Sequence, residues 1–177
     1  MSRLAQALAI KRPTLHYYFP DRVAIFEQAL ADQMAAQVAF VVARMAEHDH
    51  PIDQLYAQIC AVHDFHHGNE DRVVFLTQAL GTAEAERTRS IVSAASQAFE
   101  LHRQAMAASL QAGIASGTVA DCDVDALLLL TRGLVDGLLV QRVVLGADLA
   151  PAHRLFWERV LAPLKLEPDT SPTQDQP

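Results

Sequence analysis

Apolar residues recur at three- and four-residue spacing along almost the whole chain, the period of an α-helix with one face turned to a core. Phe26, Leu30, Met34, Val38, Val41 and Met45 predict a long amphipathic helix from Arg22 to Glu47. Pro20 closes a short helix before it, and Asp21 is placed to cap it. His48-Asp49-His50-Pro51 breaks the pattern, with Pro51 suited to the first position of the next helix. That helix carries Ile52, Leu55, Tyr56, Ile59, Val62 and Phe65 and stops at Gly68-Asn69. A shorter helix follows from Asp71 to Leu80, closed by Gly81-Thr82. The alanine-rich, proline-free stretch from Glu84 to Ala115 predicts one long helix ending near Gly113 and Gly117. Asp121 and Asp123 offer caps for a helix from Val124 to Leu145, and Pro151 opens a last one running to Leu164. No segment alternates apolar and polar residues between hairpin turns, and no internal repeat is present. The expected fold is all-α.

Composition narrows this picture. A chain of 177 residues can bury a core without disulfides or a structural metal. Cys60 and Cys122 stand far apart, outside any Cys-x-x-Cys spacing, and read as small hydrophobes in a reducing cytosol. Met1-Ser2-Arg3-Leu4-Ala5-Gln6 lacks the apolar stretch of a secretory signal, so a cytoplasmic protein is expected. Leu127 to Leu145 is apolar enough to suggest a membrane span, but Arg132, Asp136 and Arg142 interrupt it, which predicts a buried helix and no membrane.

The net charge of −7 points away from nucleic acid until it is divided along the chain. Residues 1–22 carry Arg3, Lys11, Arg12 and Arg22 against Asp21 alone, a net of +3, which leaves −10 on the remainder. A basic head on an acidic body fits a chain one end of which meets a polyanion. Within that head, Leu4 to Ile10 and Arg12 to Phe19 read as two short helices with a tight link, a helix-turn-helix unit. Such a unit sets its second helix in the major groove while flanking groups hold phosphates. Lys11 and Arg12 begin that second helix; Thr14, Tyr17 and Tyr18 bring hydroxyls for phosphates, and Arg22 follows.

The run from Leu4 to Arg22, with Thr14-Leu15, the aromatic pair Tyr17-Tyr18, Phe19 and a basic residue three positions later, resembles the DNA-reading segment of the tetracycline-repressor (TetR) family of transcriptional regulators. The all-helical remainder with its long first core helix agrees with this over the whole chain. By this resemblance Arg12, Pro13 and His16 face bases, Thr14, Tyr17 and Arg22 grip phosphates, and Leu4, Leu8, Ile10, Leu15 and Phe19 pack the small domain. Three departures stand out. Ala9 replaces the usual glycine of the turn, which is tolerable where the backbone does not need a positive φ. His16 replaces a common tyrosine, and the chain opens almost inside the family's second helix.

The resemblance implies a DNA-binding segment over 1–22, a connecting helix over 23–47 and an effector-binding and dimerisation domain over 48–165, while the Pro-, Asp-, Ser-, Thr- and Gln-rich stretch over 166–177, without an apolar face, is expected to be a disordered tail. The last two helices carry more apolar surface than one chain edge covers, which predicts a homodimer through Leu127, Leu130, Gly133, Leu134, Gly137, Leu138, Leu155 and Phe156. Gly133 and Gly137 fit close helix approach there or packing within one chain. Phe40, Phe65, Phe75, Leu76, Phe99, His102, Met106 and Thr131 are the candidate lining of a pocket for a small apolar or aromatic effector. His63 and His67 are i, i+4 on a helix and form a weak metal candidate beside His66, Glu70 and Asp71. No glutamate completes a metalloprotease motif, no Gly-rich phosphate loop or nucleophile elbow is present, and neither catalysis nor a cofactor is expected. The expected function is a repressor released from an operator in double-stranded DNA by its effector; the competing expectation is a helical ligand-binding dimer that no longer reads DNA.

Overall fold

The computed structural model describes residues 1–71, 73–74 and 87–166, with 87–96 and 98 described as backbone only. Every regular element in it is helical: α1 (Ser2–Ala7), α2 (Arg12–Tyr18), α3 (Arg22–Met45), α4 (Pro51–His66), α5 (Arg87–Ala115), α6 (Val124–Leu145) and α7 (Ala150–Phe156). A wide π-type turn (Trp157–Leu161) and a 3-10 turn (Ala162–Leu164) continue from α7. The expected helix from Asp71 to Leu80, the start of the helix placed from Glu84, and the tail beyond Leu166 lie outside the described residues. No described helix is long and apolar enough to cross a membrane.

Local chemistry explains the boundaries. Asp21 Oδ1 accepts from the Ala24 amide at 2.8 Å, capping α3. Asp123 Oδ1 does the same for Ala126 at 2.9 Å on α6. Pro51 opens α4, where the Ile52 amide donates to His50 Nδ1 at 3.1 Å.

Packing centres on α4, which touches α3, α5, α6 and the π turn. Its Ile52, Leu55 and Ile59 lie on one face and are wholly buried, with Leu110 of α5 and Leu161 of the π turn. The far end is closed by backbone bonds from Ala120 to Leu164 O and from Leu166 to Thr118 O, both 2.9 Å.

At the other end, α1 packs against α2. The link between them is a Schellman turn: the Ile10 amide donates to Ala5 O at 3.0 Å and the Ala9 amide to Gln6 O at 3.1 Å. This geometry puts Ala9 at φ +53°, in the left-handed region, so the positive φ that alanine tolerates poorly is required after all. Ala9→Gly is therefore expected to stabilise the chain by about 0.5–1 kcal/mol, read as a higher midpoint in urea unfolding; a loss of that size would refute the strain. The packing expected within the head is only partly realised. Ala5 and Leu15 are buried and Phe19 is half-buried, but Leu4, Leu8 and Ile10 are exposed, because α2 packs against only one side of α1.

Candidate functional site

Helix α2 turns one side inward and the rest outward. Leu15 is buried, while Lys11, Arg12, Pro13, Thr14, His16, Tyr17, Tyr18 and Arg22 are all exposed. Arg12 Nε donates to His16 Nε2 at 3.4 Å, so these two side chains share a strip one turn apart. Tyr17 and Tyr18 are 83% and 69% exposed, with rings edge to face at 5.1 Å. Two adjacent tyrosines left in water beside three cations form a surface suited to phosphates and base edges. All eight candidates are therefore open to solvent at one end of the chain, with Arg12 against His16 and Tyr17 against Tyr18.

The body holds two further features. A groove of about 280 Å³ opens between the end of α3, the start of α4 and the middle of α5, lined mainly by Val42, Met45, Gln54, His102, Met106 and Ser109. Burial pushes the His102 imidazole below its usual range, favouring the neutral ring. Of the six candidate pocket residues that are described, His102 and Met106 line this groove. Phe40 and Phe65 form a tilted ring pair at 5.7 Å outside its lining. Thr131 is buried, and its hydroxyl lacks a partner among the described residues. Phe99 is corrected: it lies on the surface beneath the Arg132 guanidinium, 4.6 Å from the ring centre, because α5 turns it outward. Phe75 and Leu76 lie outside the described residues.

The second feature is the outer face of α6. Leu130 is 53% exposed, and at Gly133 and Gly137 a side chain would meet open space. Val140 and Val144 continue the strip, also exposed, giving Leu130, Gly133, Gly137, Val140 and Val144 at alternating spacings of three and four. Leu155 of α7 is exposed as well. Leu127 and Phe156 are corrected, since both belong to the chain's own core; Leu134 packs against that core and Leu138 is half-buried. Val140 and Val144 are the additions that sequence reasoning missed, although the heptad-like spacing carries them.

The weak metal candidates His63 and His67 are not brought together. Both ring nitrogens of His63 are engaged inside the protein, Nδ1 with His153 Nε2 at 2.7 Å and Nε2 with the Val135 carbonyl at 2.9 Å. His67 lies past the end of α4, exposed and facing Glu70 at 4.0 Å. Among the described residues no group of three or more His, Cys, Asp or Glu is placed to hold a metal ion.

The fold has solved counterparts. The PfmR protein of Thermus thermophilus, a TetR-family transcriptional regulator, superposes with a TM-score of 0.67 at 18% identity over 93% of this chain and 87% of that one. The chain has the tetracycline-repressor fold. A protein of unknown function from a Rhodococcus species matches with a TM-score of 0.66 at 16% identity, over 93% of this chain and 84% of the other. No protein-family model and no curated protein matches the sequence. In this fold the exposed α2 belongs to the N-terminal helix-turn-helix and the groove to the helical body.

Proposed function

We propose that the chain is a dimeric transcriptional repressor that reads a near-palindromic DNA site through α2 and is released from it by a small apolar or aromatic effector. The observation that carries this reading is the undivided exposure of Lys11, Arg12, Pro13, Thr14, His16, Tyr17, Tyr18 and Arg22, in a head of net charge +3 on an acidic body. Arg12, Pro13 and His16 face bases; Thr14, Tyr17, Tyr18 and Arg22 hold phosphates.

Association through α6 and α7 supports the same reading. The alternating spacing of Leu130, Gly133, Gly137, Val140 and Val144 is that of a helix seam, and the open space at both glycines lets a second helix approach closely. A two-fold axis through this seam would present two heads to two half-sites. The effector would enter the groove beside His102 and Met106, where a largely apolar lining suits an apolar or aromatic molecule. Binding there favours a head spacing that misfits DNA, with a coupling commonly of about 1–3 kcal/mol.

Selection from a pool of random duplexes by the full chain tests this. The expected product is a two-fold-symmetric motif with half-sites separated by about 34–36 Å or a multiple of it. Recovery of no preferred sequence would leave a helical ligand-binding dimer that does not read DNA.

A further inference from the structure

A chain of polar side chains runs through the packed body at a place the proposed function does not use. Tyr56, Cys60 and His63 follow one another at four- and three-residue spacing on one face of α4. His153 of α7 lies against them, its Nδ1 3.8 Å from Cys60 Sγ and its Nε2 2.7 Å from His63 Nδ1. His63 is fully buried and His153 is 9% exposed. Beyond His63 the chain ends on the Val135 carbonyl of α6, 2.9 Å from Nε2.

The His63 and His153 rings are nearly parallel, at 10° with centres 4.9 Å apart. A nitrogen contact of 2.7 Å is too short for stacked faces, so the rings meet edge to edge through an N–H···N bond. The donors then follow by elimination. A carbonyl only accepts, so His63 carries a hydrogen on Nε2, and the neutral ring that burial favours offers a lone pair at Nδ1. His153 must donate to that lone pair from Nε2, which leaves its Nδ1 as the acceptor for the Cys60 thiol. Tyr56, one turn earlier on α4, lies close enough to Cys60 for each to influence the other's ionisation. Every donor points the same way, and both imidazoles are neutral in the same tautomer.

An added proton breaks this one-way order of donors and leaves a cation on a buried ring. Taken up at His153 Nδ1, it turns that nitrogen from acceptor to donor and ends the Cys60 thiol's bond; taken up at His63, it requires His153 to carry its hydrogen on Nδ1, with the same loss, and either way a cation is buried. The charged groups around the pair are Asp64 on α4, Asp136 and Arg142 on α6, and Asp148 ahead of α7. Arg142 Nη1 donates to the His63 carbonyl at 2.8 Å, which brings a fixed positive charge to the same spot.

We propose that Tyr56, Cys60, His153 and His63 form an acid-sensitive latch that holds α7 against α4 while both imidazoles are neutral and lets go when the pair takes a proton. Burial, the leading cause, lowers both histidines below the ordinary imidazole value of 6.5. The unfolded chain therefore takes up protons before the folded one does. Stability is full above pH 6.5, declines as pH falls below it, and levels off once the folded pair itself protonates. Leu155 of the proposed subunit face lies on the same helix, so opening would also loosen association; that extension rests on the dimer reading, whereas the latch does not.

Trp157, the chain's single tryptophan, sits directly after α7 with its ring 4.9 Å from Tyr56, and its emission reports whether α7 is docked. Acidification of the full chain is expected to shift this emission to the red with a midpoint below pH 6.5. His153→Gln, which can still donate to His63 and accept from Cys60, should abolish the shift over the same range. A wild-type emission unchanged down to about pH 5, or an equal shift in the variant, would overturn the latch. Imidazole nitrogen NMR of the wild-type chain at about pH 7.5 decides it independently of any variant. Two neutral rings each protonated at Nε2 support the latch; a cation or an Nδ1–H tautomer on either ring contradicts it.

Discussion

Val140→Asp is expected to turn the proposed dimer into a monomer. Val140 is 53% exposed on the single chain and falls on the strip with Leu130, Gly133, Gly137 and Val144. On a two-fold seam each substitution occurs twice, so two carboxylates enter one apolar contact. An uncompensated buried charge costs about 3–5 kcal/mol, and each 1.4 kcal/mol is about tenfold in affinity. Dissociation should therefore rise at least about a hundredfold, enough to bring sedimentation of a micromolar sample from dimer to monomer. The fold itself should hold, because an exposed position changes stability by only about 0.5 kcal/mol or less. A variant that stays dimeric would place the interface elsewhere.

The architecture was largely legible in the sequence. The chain punctuates its helices with residues whose chemistry is local: Asp21 and Asp123 cap, Pro51 starts a helix, and Gly68 at φ +71° follows the end of α4. Helix α3, expected from Arg22 to Glu47, spans Arg22–Met45. The exposed strip of α2 was legible for the same reason, since seven residues with one inward leucine leave little choice of face.

What stayed hidden is what depends on distant parts of the chain. Helix α6 carries apolar residues on both its sides, with Leu127, Leu128 and Val135 inward and Leu129, Leu130, Val140 and Val144 outward. Its periodicity therefore does not say which side meets the core, and Leu127, expected at the subunit face, belongs to the inner side. The partner of His63 is 90 positions away. No local pattern marks that pairing, whereas the i, i+4 spacing to His67 is conspicuous; the helix ends at His66, and the two rings diverge. Ala9 shows a third limit. Its identity in the turn was readable, but the demand for a positive φ arises from the Schellman bonds to Ala5 and Gln6.

Arg12→Ala should cost the most in DNA reading. Arg12 begins α2 and is exposed, and with only its Nε turned to His16, its two terminal nitrogens are left to meet a base edge with paired donors. Loss of such a contact costs about 1–3 kcal/mol, roughly ten- to a hundredfold in affinity, and relaxes the preference at the base it reads. Tyr17→Phe keeps the ring and removes only the hydroxyl, so its loss should be smaller and the same on every sequence. Both side chains stand clear of the core, and unfolding midpoints should match the wild type.

The most direct measurement is equilibrium titration of the wild-type chain and Arg12→Ala against a labelled duplex carrying the selected site and against its scrambled version, at one fixed salt concentration. The wild type should bind the selected site far more tightly than the scrambled one, and Arg12→Ala should lose most of that ratio while remaining folded and dimeric. Equal affinity of the wild type for both duplexes, or an Arg12→Ala variant with the ratio intact, would contradict a DNA-reading role for α2.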